Sequence, residues 1–216
     1  MVAEKYGNQF LGFLVIQPRD AEGKGHVELV SSPDGLTWYR GSDRAAFIAP
    51  GEAGTWNGGH VWYVENIVPF GDRLFFYYSG AEHPWRMSHP ENSRAIGLAR
   101  LTRDRFVGHH GDLDGGFLLS REVEVGGATL LLNCYPKHRA FTRQASGSVE
   151  VELLDREGMQ IPGFRFEDCD AVTVNALEHP VSWGGSSDLS RLAGSPIYIR
   201  FLLRSAYLYG FRFSEA

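Results

Sequence analysis

Apolar residues along this chain fall in short runs of four to nine positions that alternate with polar ones or stay apolar throughout, and Gly, Pro, Asp and Asn close the runs. No long stretch keeps a period near 3.6. The pattern therefore predicts strands, not helices. The run the others are organised around is Val61 to Gly80, VWYVENIVPFGDRLFFYYSG, two strands joined at Gly71-Asp72. Val61, Tyr63, Ile67 and Val68 are the apolar positions of the first strand, whereas Leu74-Phe75-Phe76-Tyr77-Tyr78 is apolar on both faces. A strand without a polar face needs neighbours on both sides.

Before this hairpin, FLGFLVIQ (10–17) and His26–Ser32 read as strands, and Ser32-Pro33-Asp34-Gly35 makes a turn that Trp38 folds back to cover. Proline presets φ, the aspartate side chain takes turn amides, and glycine supplies the reversal. The loop-rich segment 41–60 holds one apolar cluster, Phe47-Ile48-Ala49-Pro50. After the hairpin comes a long polar loop, AEHPWRMSHPENS, and then a strand at Arg94–Thr102. GHHGDLDGG (108–116) has the composition of a linker. Beyond it, FLLSREVEV and ATLLLNCY flank Gly126-Gly127 as a hairpin with one wet face, and Ser148–Asp155 alternates strictly into a turn at Arg156-Glu157-Gly158. Pro180–Trp183, Ile197–Arg204 and Tyr207–Phe213 read as the last strands, with a single helical turn within Asp188–Ala193. The organisation expected is all-β in two parts, residues 1–108 and a β-sandwich over 117–216, joined by a linker at 109–116.

Composition narrows the function classes. A net charge of −5 argues against a nucleic-acid backbone or an anionic membrane surface as partner and is compatible with neutral ligands such as sugars. No run has the roughly 18 apolar residues of a membrane span, and the first residues lack the build of a signal peptide, so the chain as it stands reads as cytoplasmic. Cys134 and Cys169 fit either one disulfide or two buried thiols, and buried thiols are the favoured reading. His109-His110 with Asp112 and Asp114 has the residue types of a metal site. Adjacent strand histidines point to opposite faces, however, and a solvated linker is the expectation. No nucleophile turn, phosphate loop or dinucleotide fingerprint occurs, and no cofactor is expected.

SSPDGLTW, GTWNGGHVWYVENIVPFGDRLFFYYSG and AIGLARLTRDRFVGH together resemble the last part of the five-bladed β-propeller of invertase-, levanase- and arabinanase-like glycoside hydrolases. VEVELLDREGMQIPGF, FEDCD and DLSRLAGSPIYIRFLLRSAYLYGFRF resemble the β-sandwich that follows such propellers. The resemblance implies a partial propeller of about two blades over 1–108, a sandwich after it, and hydrolysis of a glycosidic bond in a complete relative. It also implies a nucleophile or base aspartate on a first blade, which has no counterpart here, and a ring that needs more than about 300 residues with its sandwich. Hydrolysis by two opposed carboxylates requires them to flank one bond at about 5–9.5 Å. The expectation is thus a truncated or divergent member that binds carbohydrate and is inactive alone. The alternatives are an assembly module completed by a second copy or a separate N-terminal propeller chain, and an active glycosidase.

For that last alternative the candidate general acid is Glu65, because it interrupts an apolar strand, where desolvation in a cleft would suit a carboxyl to donate a proton. The competing reading puts it at an edge or bulge, paired with Arg73 or an amide. Asn57 stands where relatives carry an aspartate, and an amide binds hydroxyls but takes no proton at neutral pH. Trp56, Trp62, Tyr78 and Trp85 offer aromatic planes for a sugar ring, with Asn57, His60, Glu82 and His83 to reach its hydroxyls. Asp34 is expected to hydrogen-bond turn amides rather than to act in catalysis.

Overall fold

Val2–Tyr6 and the first six residues of Pro196–Arg204 bury alternate residues, which is the period-two pattern of the sequence expressed in space. The computed structural model describes residues 1–19, 23–41, 43–84, 93–137 and 147–214 and divides the chain into two units, Met1–Thr102 and Arg103–Ala216. Both are built from antiparallel sheets, so the protein is all-β, and none of the sheets closes on itself.

The first unit holds nine strands: β1 (Val2–Tyr6), β2 (Gln9–Ile16), β3 (His26–Ser32), β4 (Tyr39–Arg40), β5 (Ala46–Ile48), β6 (His60–Trp62), β7 (Ile67–Phe70), β8 (Arg73–Ala81) and β9 (Arg94–Thr102). The first sheet runs β1-β2-β3, and β4 and β5 share the free edge of β3. In the second sheet β8 is central, with β9 on one edge and β6 followed by β7 on the other. The sheets meet through Phe13 of β2, Phe47 of β5 and Phe76 of β8, whose ring centroids lie 5.3–5.8 Å apart. Such aromatic edge contacts are worth about 0.5–1.5 kcal/mol each beyond the area they bury. Val27, Val61, Leu74 and Phe76 are almost wholly buried around them. The turn at Gly71-Asp72 is where the hydrophobic pattern places it, with Gly71 at φ 59. The first strand of the hairpin is not continuous, however: residues 63–66 leave the ladder opposite only Tyr77 and Tyr78, and Tyr63 takes φ 50. Two residues facing four is an enlarged bulge, which kinks a strand and re-aims its side chains.

The second unit contains β10 (His109–Gly111), β11 (Gly116–Leu119), β12 (Val123–Glu124), β13 (Leu130–Pro136), β14 (Ser148–Leu154), β15 (Ala176–Pro180), β16 (Pro196–Arg204) and β17 (Ala206–Phe213), with 3-10 turns at Phe166–Asp168 and Ser190–Leu192. One sheet is ordered β10-β17-β13-β15; in the other, β11, β12 and β14 all pair with β16. Both sheets feed one core. Leu130, Leu132 and Cys134 come from β13, Val149, Val151 and Leu153 from β14, and Ile197, Ile199, Phe201 and Leu203 from β16.

Several expectations change here. Residues 109–116 are no linker: His109–Gly111 pair with β17, and Gly116 opens β11. The second unit begins near Arg103, because Arg105 is anchored there by hydrogen bonds to Asn133 Oδ1 (2.8 Å), Asn175 Oδ1 (2.7 Å) and the carbonyls of Cys134 and Ala176 (both 3.1 Å). The segments flanking Gly126-Gly127 do not form a hairpin either. Val123–Glu124 pair with β16 and Leu130–Pro136 with β17 and β15, so the glycines carry the chain from one sheet to the other. The strand expected at Pro180–Trp183 ends at Pro180. Trp183 is instead a buried plug, its Nε1 donating to the Val151 carbonyl at 2.9 Å.

Candidate functional site

The turn at Ser32–Trp38 shows how the polar residues of this chain are used. Asp34 Oδ1 accepts from the amides of Leu36 and Thr37, both at 2.8 Å, and from Ser32 Oγ at 3.0 Å. Those donors, the Thr37 amide foremost, hold its carboxyl below the ordinary carboxylate range. Trp38 Nε1 donates to the Gly35 carbonyl at 3.2 Å and covers the reversal. The turn itself thus supplies the donors to Asp34 Oδ1, as the pattern predicts.

The aromatic and amide candidates meet where β8 ends and the 49–59 segment enters β6. Trp56 stacks on Tyr78 with centroids 5.8 Å apart and planes at 27°. Its indole lies over two glycines, so that a Cβ at Gly80 or Gly97 would come within 2.7 Å or 2.6 Å of it. The indole remains 40% exposed. Asn57 Nδ2 donates to the Tyr78 hydroxyl at 3.1 Å, and its Oδ1 accepts from Thr55 Oγ1 at 3.2 Å. Trp56, Asn57 and Tyr78, spread over 23 positions of sequence, form one aromatic stack whose indole is exposed and whose bordering amide and phenol are half-buried.

His60 sits next to this group but faces inward, with 1% of its surface exposed. Its Nδ1 accepts the Gly25 amide at 3.0 Å, which leaves the proton of the neutral ring on Nε2. Gly25 is glycine for a visible reason: a Cβ there would lie inside the His60 ring. Burial pulls the His60 pKa below its ordinary value, and Trp62 packs against the imidazole at 4.5 Å. Trp62 is itself half-buried, with the Arg94 guanidinium 5.9 Å above it. His60 and Trp62 are therefore structural neighbours of the aromatic plane and not part of its open surface. Glu82 and His83 are half-buried, and their backbone passes close to Gly59. Trp85 lies outside the described residues.

Glu65 falls in the 63–66 bulge and is exposed, and among the described residues it has no hydrogen bond or ion pair. Arg73, its expected partner, turns instead to Asp72 (3.5 Å) and Thr102 Oγ1 (2.7 Å). An exposed carboxyl lacks the desolvation that general-acid work draws on.

Two buried carboxylates escaped sequence reasoning. Glu28, 4% exposed, takes a bidentate pair of hydrogen bonds from Arg40 (2.7 and 2.8 Å), with His26 Nε2 3.5 Å away. Glu152, fully buried, is ion-paired with Arg200 and accepts from Gln160 Nε2 at 2.9 Å. The available signal was a carboxylate inside an apolar run, HVELV or VEVELL, the same signal that drew attention to Glu65. A row of tyrosines was missed as well: Tyr207 stacks on Tyr135 and Tyr209, each at 14°, with His110 on its third side at 4.4 Å. His110 Nδ1 lies 3.4 Å from Asp112, and among the described residues no three His, Cys, Asp or Glu side chains are grouped to hold a metal ion. The cysteines are free thiols, Cys134 buried and Cys169 half-buried, and burial pushes both pKa values up to about 11. A cavity of about 280 Å³ opens in the second unit between Gln160, Pro162, Leu192 and Pro196, with Asp155 at its wall. Its lining is mostly apolar and offers no paired acid and base. Compared with family models, curated proteins and solved structures, the chain has no match among them.

Proposed function

We propose that the first unit is part of a glycoside hydrolase-like propeller, two blades of a larger ring, that the second is the accompanying β-sandwich, and that the chain associates with carbohydrate without hydrolysing it alone. The observation that carries this reading is the half-open Trp56 indole, stacked on Tyr78 over Gly80 and Gly97 and bordered by the Asn57 amide. An aromatic face meets the C–H face of a sugar ring, while amide and phenol groups beside it reach hydroxyls. The blade reading is supported by two antiparallel sheets in sequence order packed face to face through Phe13, Phe47 and Phe76. The sandwich reading is supported by two sheets that share one core.

Inactivity follows from the carboxylates. The one exposed candidate, Glu65, stands in solvent, and Asn57 replaces the aspartate that the family resemblance leads one to expect. A glycan-array screen followed by calorimetry on the full chain tests the binding. Trp56→Ala is expected to weaken a hit about tenfold, the effect of ~1.4 kcal/mol. Absence of any hit with the wild type removes the carbohydrate reading. Sugar hydrolysis by the wild type that vanishes in Glu65→Gln would replace inactivity with catalysis.

A further inference from the structure

The cavity of about 280 Å³ in the second unit lies where the turn after β14, the 3-10 turn at Ser190–Leu192 and the start of β16 come together. Its apolar wall is aliphatic, made by Ile161, Leu192, Pro196 and Ile197, and none of its lining residues is aromatic. Roughly 150 Å³ of apolar cavity holds a benzene ring, so this one has room for a ring and a short chain. The polar side chains at the cavity are Asp155, Gln160 and Ser195. Asp155 is held in a turn, its amide donating to the Met159 carbonyl and its Oδ1 accepting from the Met159 amide, both at 2.8 Å. Its Oδ2 has no partner among the described residues. The arginines next to the cavity in sequence are engaged elsewhere: Arg156 pairs with Glu122 at 3.5 Å, and Arg191 donates to the Pro162 carbonyl and lies 4.4 Å over the Phe164 ring. Gln160 is oriented by a buried partner. Glu152 is fully buried and, as a carboxylate, only accepts, so the Gln160 Nε2 faces it at 2.9 Å and Oε1 is the atom the amide can offer. Leu154 and Gln160 are bridge partners, which sets Asp155 and Gln160 side by side.

We propose that this cavity binds a small organic cation, a primary ammonium carried on a ring or short hydrocarbon body. The body takes the place of water against the aliphatic wall, and the ammonium, which has donors and no acceptor, meets the one charged lining residue, Asp155, and the Gln160 carbonyl beside it. Charge and hydrogen-bonding sense select this class together. A carboxylate-bearing ligand would face Asp155 as a like charge and Gln160 Oε1 as a second acceptor. A neutral sugar would find no aromatic plane to lie on. The site belongs to the second unit alone and is independent of the carbohydrate reading of Trp56.

Titration of the isotope-labelled full chain with phenethylamine, followed by amide NMR, tests this. Saturable shifts at Gln160, Ile161 and Ser195 are expected, with a Kd on the order of 1 mM for so small a ligand. Phenylacetate, of similar size and opposite charge, is expected to bind about tenfold more weakly or not at all. Asp155→Asn keeps an Oδ1 acceptor for the Met159 amide, and with it the turn, and is expected to abolish the preference for the amine. The absence of shifts at about ten times the expected Kd overturns the proposal. So do equal affinities for amine and carboxylate, shifts confined to the first unit, and a preference for the amine that survives in Asp155→Asn. Tighter binding of Nα-acetyllysine amide than of phenethylamine overturns it in favour of a lysine side chain on another protein. The comparison of the two small ligands needs no variant, so it decides the matter even where Asp155→Asn fails to fold.

Discussion

The contact between Gly25 and His60 joins the segment leading into β3 to β6, and a double-mutant cycle across it measures what that contact contributes. In Gly25→Ala the added methyl falls inside the imidazole, and neither group has room to retreat, since His60 is 1% exposed and packed by Trp62. Overpacking costs about 1–3 kcal/mol, and losing the hydrogen bond from the Gly25 amide adds about 1 kcal/mol. In His60→Ala the same amide loses its acceptor, for about 1–3 kcal/mol, and a cavity the size of the ring adds roughly 1–2 kcal/mol. Each single variant is thus expected to lose about 3 kcal/mol.

The double variant is expected to lose far less than the sum. Alanine at position 60 vacates the volume that the new methyl needs, and the amide's lost partner is counted once. The predicted loss is about 3–4 kcal/mol, a coupling of about 2 kcal/mol between the two sites. For a unit of this size each kcal/mol moves the melting midpoint by about 4–8 °C, so the single variants should melt about 12–24 °C lower. Tryptophan fluorescence is the suitable signal, because Trp38, Trp56, Trp62 and Trp85 belong to the first part of the chain and only Trp183 to the second. Additive losses within about 0.5 kcal/mol would refute the argument, since they would mean that the ring and Gly25 do not touch.

The same imidazole sets a pH dependence. Burial lowers the folded pKa of His60, so the unfolded chain takes up the proton first, and the contribution is whole above about pH 6.5 and is lost as the pH falls below it. Urea midpoints between pH 7.5 and pH 5 should fall by up to ~1.4 kcal/mol per pH unit in free-energy terms, and the slope should flatten in His60→Gln. Cys134 and Cys169, with pKa values of about 11, should be inert to iodoacetamide at pH 8 in the native protein and both alkylate after unfolding, as mass spectrometry would show. Arg200→Met should destabilise the second unit by about 3–5 kcal/mol in a chemical melt, because it leaves the Glu152 carboxylate buried without its cation. Adding Glu152→Leu to that variant should restore most of the loss.

Legibility in the sequence followed the reach of the signal. His26–Ser32 and Arg94–Thr102 form strands with the bounds the pattern predicts, since alternation and turn residues act locally. The turn at Ser32–Trp38 implies a strand on either side of it, and β4 follows it directly; the three-residue β5 is not legible, because so short a run makes no period. Alternation tells which face of a strand is buried and says nothing about which sheet the strand joins. Leu118 and Val123 reach the second core from one sheet, Leu130 and Leu132 from the other, and so Gly126-Gly127 looked like a tight turn while serving as a crossing. The pairing of Trp56 with Tyr78 was foreseeable only as a shared residue type. What brings the rings together is the absence of side chains at Gly80 and Gly97, which no periodicity encodes.

Glu65 shows the other limit, and with it the reason that binding is favoured over turnover. A carboxyl becomes a proton donor near neutral pH when it is taken from water without a cation to hold its charge. Glu28 and Glu152 meet the first condition and fail the second, since Arg40 and Arg200 neutralise them in place. Glu65 meets the second and fails the first: the strand leaves its ladder at Tyr63, and the side chain that an apolar context would bury is turned out into solvent. None of these three carboxylates combines burial with the lack of a cationic partner. An exposed indole beside an amide needs neither condition to hold a neutral sugar, which is why Trp56 and Asn57, and not a carboxylate pair, carry the functional reading.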